Sequence, residues 1–466
     1  MKSRILSFLC CLVVLVSTCG CTKVTQLVKD NQPTKAELLA EINEEHQRWE
    51  AAPAADPTPY LRHYDDPADA QKYFDYVTDT YSEYDAEKEL TVEEAKEDVN
   101  YLFDAFYYDF AFYDYFGGHT VFDQAKAEIL QELQAKDSLT CKDLQEILVK
   151  HLTFIKDGHF NINHNFPAEK EIPFFFRQVM FVKTDSGYQN SKGKTVVSVD
   201  GHPDLDTLFK RSISKEGYLV YYPVLLKEAK FDGTEWDKHV CNEQLTVHYA
   251  DGSTDVLTAD TWRQYYKDLP KGQNTDLRQT DGIPVFQFNS FEGSFLQEVN
   301  AAAAQMSDAA ISMLDLRSNV GGYEEVAHQW ITRYSRQRIQ GNGVRYDVVN
   351  PVSVAIQAHR WQTHDNILIL LSGKCSASSA EITMDLAYNL ENSLIIGENT
   401  NGCMIGNGGH VELPNSKCSV IMTSVCVYLL PEGADYFEEM RGLSPDIWVP
   451  AKEAETLAAK LMENLK

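Results

Sequence analysis

Five consecutive apolar residues, Ile367 to Leu371, pass into the polar turn Ser372-Gly373-Lys374. The chain then runs through Ser376-Ala377-Ser378-Ser379-Ala380-Glu381 into a helical pattern that reaches Asn389. An unbroken apolar strand, a short turn and a helix start form the unit from which sheets covered on both faces are built. A serine at that junction has its hydroxyl at the helix N-terminus, where unpaired N–H groups and the positive dipole end favour developing negative charge. Ser378 is therefore the candidate nucleophile. Serines also cap helices without any chemistry, and Ser376, Ser378 and Ser379 would serve for that too. The rest of the chain has to decide between the two.

The surrounding sequence alternates in the same way. Strands are expected at 284–288, 310–316, 367–371, 394–398 and 418–430, with helices near 295–306, 324–334 and 379–389. That order implies an α/β domain over 283–450 with a largely parallel sheet, followed by a C-terminal helix over 451–466. Ligands in such sheets gather beyond the carboxyl ends of strands. A second such end reads Leu314-Asp315-Leu316-Arg317-Ser318-Asn319-Val320-Gly321-Gly322. Paired glycines there let backbone N–H groups face a ligand with no Cβ in the way, as an oxyanion hole requires. Asp315, Arg317 and Asn319 are expected to hold this loop by internal bonds.

Upstream the texture differs. Lys2 and Arg4 precede an apolar segment, 5–16, that ends in Ser17-Thr18-Cys19-Gly20-Cys21, which reads as an export signal too short for a permanent span. It resembles a bacterial lipoprotein leader over 1–20, with Cys21 as the acylated residue and Cys19 as the alternative. Residues 21–90 are polar and broken by prolines, a tether with one peripheral helix. Thr91 and Glu94 form a capping box at the head of a helical domain over 91–165. Its third helix runs into Lys156-Asp157-Gly158-His159, a turn leading to a strand. Residues 166–270 are β-rich, and Val-Ser-Val-Asp-Gly at 197–201, ahead of 205–209, resembles the strand and helix of a PDZ-type module. The net charge of −27 argues against a nucleic-acid partner, which demands clustered Lys and Arg. No spacing of Cys and His suggests a metal site, and no cofactor is expected.

Four motifs then fall into register. DLRSNVGG (315–322), SASSAE (376–381), GENTNG (397–402) and GLSPD (442–446) resemble, in order and spacing, the C-terminal-processing and tricorn-like serine peptidases. The resemblance implies a crotonase-like (ClpP/crotonase) α/β core with an N-terminal helical domain and a PDZ-like module. In the processing branch a lysine follows the GE-x-T-x-G glycine and acts as base, but here Cys403 stands after Gly402. The tricorn-like branch implies instead a histidine in the context of Asp157-Gly158-His159 and a glutamate before GxxPD. Those positions are His159 and Glu439. With Ser378 they make a Ser/His/Glu triad, and Gly321 and Ser379 N–H, with Gly322 as substitute, make the oxyanion hole.

Several residues compete for these roles. His410, His328 and His364 are other candidate bases, Glu438 competes with Glu439, and Glu381 is expected to support its helix start. Lys374 is expected to point into solvent. The function expected is an exported, membrane-anchored serine endopeptidase of the bacterial cell envelope, cleaving peptides or unfolded segments that enter between the β-rich module and the core. The alternative is a catalytically silent peptide- or lipid-binding protein on the same scaffold, as in interphotoreceptor retinoid-binding protein. A crotonase-like acyl-CoA enzyme is disfavoured because export removes the cofactor.

Overall fold

The computed structural model describes residues 25–465 except 51, 54, 73–74, 231–237, 350–352, 355–359 and 425. Cys19, Cys21 and the leader lie outside the described residues. The central sheet has six strands, in the order Thr275–Thr280, Ile283–Phe288, Ile311–Asp315, Ile367–Ser372, Ser393–Gly397 and Ile447–Trp448. All neighbours run parallel except the first two, a hairpin turning at Asp281-Gly282.

Side chains of the Ile367–Ser372 strand alternate between two apolar layers, as a strand's period of two requires. Leu368 and Leu370 pack with residues of the helices Leu296–Met306, Glu324–Ser335 and Ser379–Ala387. Ile367, Ile369 and Leu371 pack against the helix Ala454–Asn464, with Leu38 and Ile42 of the helix Lys35–Gln47. Each such side chain contributes about 1.5–3 kcal/mol by leaving water. The turn after this strand is thereby held from both sides of the sheet.

One expected strand does not join the sheet. Residues 418–430 split into Ser419–Thr423 and Cys426–Leu429, which pair in two separate three-stranded sheets. The reason is what covers them. The helices Val92–Asp109, Gly118–Gln134 and Cys141–His151 do not close a core alone, and Val411, Val420, Met422, Val427 and Leu429 complete it. The strand Asn161–Ile162 pairs with Ser419–Thr423 in this layer, which fixes His159 two residues upstream.

Residues 166–270 form two sheets. One pairs Lys170–Phe175 and Phe209–Ile213 with Leu219–Ala229, and Phe181–Thr184 with Gly187–Asn190. The other holds Val196–Val199, Gln244–Tyr249 and Thr254–Thr258. The proline-rich segment before residue 90 lies along the body of the protein. Ala55 N–H donates to Leu430 O (3.3 Å), Arg62 N–H to Val348 O (2.9 Å) and Thr78 N–H to His410 O (2.8 Å). Among the described residues no helix is long and apolar enough to cross a membrane.

Candidate active site

Ser378 ends the turn between the central strand and the helix Ser379–Ala387, with φ +52° and ψ −116°. A serine at positive φ costs about 1–3 kcal/mol and persists only when its surroundings impose it. They do so through Glu381, which is fully buried. One of its oxygens accepts the N–H groups of Ser378 (3.0 Å) and Cys403 (3.0 Å), and the other accepts Gly402 N–H (2.7 Å) and the Thr400 hydroxyl. Glu381 thus fastens the Ser378 turn to the 400–403 loop, a wider role than supporting its helix start. Ser376 adds a second fastening, its hydroxyl donating to Leu316 O (2.8 Å).

Gly321 has φ +94°, and a methyl placed on it would come within 2.9 Å of Ser378 Cβ and of Ala377 O. The glycine loop therefore lies directly against Ser378. Its own internal bonds are those expected, with Arg317 Nε donating to Asp315 (2.8 Å) and Asn319 Nδ2 to Phe288 O (2.7 Å). One assignment changes. Gly321 N–H is engaged by Asn319 Oδ1 at 2.8 Å, so it is not a free donor. No partner holds Gly322 N–H or Ser379 N–H among the described residues. Gly322, expected as the substitute, and Ser379 are the two whose N–H groups are left available among the described residues. The Ser379 hydroxyl donates to Gly322 O (2.6 Å) and ties these two residues together.

His159 and Glu439 lie close together. Glu439 Oε1 accepts Gly158 N–H (2.8 Å) and Oε2 accepts Ile405 N–H (3.3 Å). One ligating atom from each of Asp157, His159 and Glu439 lies within 4.8 Å of the others. Asp157 is occupied in building the loop. Its carboxylate accepts His159 N–H (2.9 Å), Thr423 N–H (2.8 Å) and the Thr423 hydroxyl (2.9 Å). Glu438 is exposed and pairs with Arg441 (2.6 Å), so the strand register brings Glu439 and not Glu438 to the base. Asp157, His159 and Glu439 are the one acid and histidine group close enough to hold a cation among the described residues.

Contact from Ser378 to the base loop runs through Cys403. Ser378 N–H points at its Sγ (3.2 Å), and a methyl on Gly158 would come within 2.6 Å of its Cβ. Among the described residues neither ring nitrogen of His159 has a hydrogen-bond partner, and both are buried. The Ser378–His159 bond is thus not made in this structure, and such bonds often close only when substrate is bound. Burial holds the imidazole below the ordinary histidine range; nearby Asp157 opposes this and Lys170 adds to it. Burial, with Asp157 and Glu381 beside it, pushes the Glu439 carboxyl well above the usual range.

Two buried lysines frame the site, and one overturns an expectation. Lys374 points inward, 4 % exposed, and donates to Thr400 O (2.7 Å) and Arg441 O (2.9 Å). Burial and the nearby Lys170 push it down to about 7. The 400–403 loop and the 441–443 hairpin close over it, which spacing from Ser378 does not reveal. Lys170 donates to Gly158 O (2.8 Å) and to Asn401 Oδ1. The rival bases sit in other contacts: His328 bonds Glu324 (3.2 Å), His364 lies against Tyr334, and His410 stacks on Tyr81.

Residues 282–449 match the family model of peptidase family S41. The chain carries an S41 peptidase domain. By that family it is a serine-type peptidase. No curated protein matches the chain. Among solved structures, mature CPAF is 12 % identical with a TM-score of 0.43, covering 80 % of this chain and 96 % of its own. The photosystem II D1 C-terminal processing protease is 13 % identical with a TM-score of 0.37, over 80 % and 97 %. The tricorn protease is 13 % identical with a TM-score of 0.32, over 80 % of this chain and 37 % of its own.

Proposed function

We propose that this S41 peptidase is an exported endopeptidase in which Ser378 is the nucleophile, His159 its base and Glu439 the group that orients and compensates the base. The observation that carries this is the strained Ser378 turn, pressed against Gly321 and tied through Cys403 to the His159 loop. In the first step Ser378 Oγ attacks the scissile carbonyl carbon and His159 takes its proton. The carbonyl electrons move onto oxygen, which Gly322 and Ser379 N–H would receive. The intermediate collapses, His159 returns the proton to the leaving amine, and an acyl-enzyme remains for water to hydrolyse by the same route. Burial keeps the proton on Glu439 in the resting site, so its carboxylate would stabilise the imidazolium only in molecules that have released that proton to solvent.

The crotonase-like character of the core and the PDZ-like character of 166–270 belong to the same proposal. The parallel sheet supports the first, and the short helix Leu205–Leu208, which follows the strand Val196–Val199 and packs on Phe209–Ile213 and Leu219–Ala229, supports the second. Export to a bacterial envelope, with an acylated Cys21 or Cys19, rests on the leader sequence. Mass spectrometry of the mature N-terminus tests it, and a free, unacylated N-terminus beyond Cys21 would refute the anchor.

The base must be neutral to act, and burial holds it below the ordinary histidine range. Activity on a neutral peptide is therefore expected to hold from pH 8 down through 6.5 and to fall only at lower pH. A fall centred at 7 or above, with chemistry rate-limiting, would count against His159.

Glu439 gives a separate test. A native state that keeps a proton which the unfolded chain releases loses stability as pH rises above the ordinary glutamate value. Glu439→Gln cannot ionise, so its melting temperature should escape that decline between pH 5 and pH 8, although its amide can accept only one of the two N–H groups that Glu439 holds and its midpoint at pH 5 should lie below the parent's. Its kcat should also be lower by roughly ten- to a thousandfold, since the imidazolium loses its counter-charge. A variant with parental kcat would remove Glu439 from the mechanism.

A further inference from the structure

A cleft of about 600 Å³ opens between the helical layer, the strand Lys170–Phe175 and the 429–441 loop. Its floor is apolar: Tyr60, Phe112, Tyr115, Phe116, Ile405 and Leu430 line it. Tyr60 stacks on Tyr115 at 4.7 Å and meets Phe112 edge-on at 5.8 Å, so the floor is a built aromatic surface. Tyr115 is still 50 % exposed. The chain supplies this wall deliberately from far upstream. Ala55 N–H donates to Leu430 O, and Glu432 N–H donates to Pro53 O (3.2 Å), fastening the Tyr60 segment to the opposite lip.

The rim is charged and unbalanced. Glu171 and Glu438 are both paired with Arg441. Glu169, Glu228 and Glu432 also line the cleft, all exposed, and no hydrogen bond or ion pair holds their carboxylates among the described residues. Lys156 is the lone opposing lysine on the lining. Glu228 stands directly opposite Glu171 in the strand pairing, so its charge has no relief from across the sheet. At its inner end the cleft reaches Glu439, whose carboxyl accepts the Gly158 N–H next to His159.

We infer that this cleft binds the substrate polypeptide through a large apolar side chain flanked by lysine or arginine. The inference rests on the peptidase reading for what becomes of the bound segment. The aromatic floor takes the apolar side chain out of water, and the three unpaired carboxylates meet the flanking cations at the mouth. An anionic lipid headgroup or an acidic peptide would face the same carboxylates as repulsion, which selects against both.

Binding is measured on full-length Ser378→Ala, which holds peptides without cutting them, by fluorescence anisotropy at low salt. The probes are labelled ten-residue peptides with one central phenylalanine flanked by Lys, by Gln or by Glu, and a Lys-flanked control with serine at the centre. The Lys-flanked peptide should bind about tenfold more tightly than the Glu-flanked one, the sum expected of a few exposed charge pairs. Replacing Glu169, Glu228 and Glu432 together by Gln should reduce that ratio to about threefold or less, and added salt should shrink it in the parent background. Loss of the central phenylalanine, or Tyr115→Ala, should weaken the Lys-flanked peptide by about tenfold. Equal or reversed charge preference, or a preference the triple variant leaves intact, would overturn the inference. The same peptides offered to the unmodified protein separate the two claims. Binding as described with no cleavage would refute the peptidase reading and leave the cleft standing, whereas cleavage indifferent to charge and aromatic anchor would refute the cleft alone.

Discussion

Ser378→Ala is expected to lower kcat by three orders of magnitude or more while the protein folds normally. The contacts that shape this turn are made chiefly by the Ser378 N–H and by Glu381, and losing the hydroxyl's cap over the Glu381 N–H costs about 1 kcal/mol. Alanine at φ +52° is strained as serine is, so the thermal midpoint should shift little. His159→Ala should cost as much, since either loss disables the same nucleophile, and the double variant should be hardly worse than each single one. Peptide cleavage and thermal unfolding on the same purified variants check this. Additive losses would mean that the two residues do not act as a unit.

The second large effect is steric. A methyl on Gly158 would sit 1.9 Å from Gly402 O, 2.6 Å from Cys403 Cβ and 2.7 Å from Cys403 Cα. Two of those three atoms are backbone, so no side-chain rotation relieves the clash. The Asp157-Gly158-His159 loop and the 400–403 loop must part, at about 1–3 kcal/mol for a tightly packed position. Both halves of the site are displaced when they part, and a shift near 1 Å is enough for about a hundredfold loss of rate. Gly158→Ala should therefore lower both the melting temperature and kcat/KM. Gly293→Ala, with nothing within 4 Å of the added methyl, is the control and should leave both unchanged.

The strand, turn and helix around Ser378 are legible in the sequence because their signals are local. The observed strand Ile367–Ser372 and helix Ser379–Ala387 differ from expectation only at their ends. The glycine pair and the Asp-Gly-His turn are legible for the same reason. What depends on distant chain is not. Lys374 looks solvent-facing four residues before Ser378 until the 400–403 loop and Arg441 fold over it. Gly321 looks like a free donor until Asn319 turns back to take its N–H. The strand Leu219–Ala229, the longest of the β-rich part, hides behind Pro223, a residue that argues against an interior strand. Residues 418–430 read as one core strand because their apolar pattern is strong, but the helices near the N-terminus compete for that apolar face and win it.

The central claim is that Ser378 is a nucleophile activated by His159. Labelling with a serine-directed fluorophosphonate, located by peptide mass spectrometry, tests it most directly because the probe reports the reacting atom without a known substrate. The account predicts a single adduct on Ser378 in the folded parent, lost or slowed by about a thousandfold in His159→Ala. A folded protein that takes no label, takes it on another serine, or labels Ser378 equally fast without His159 would contradict it.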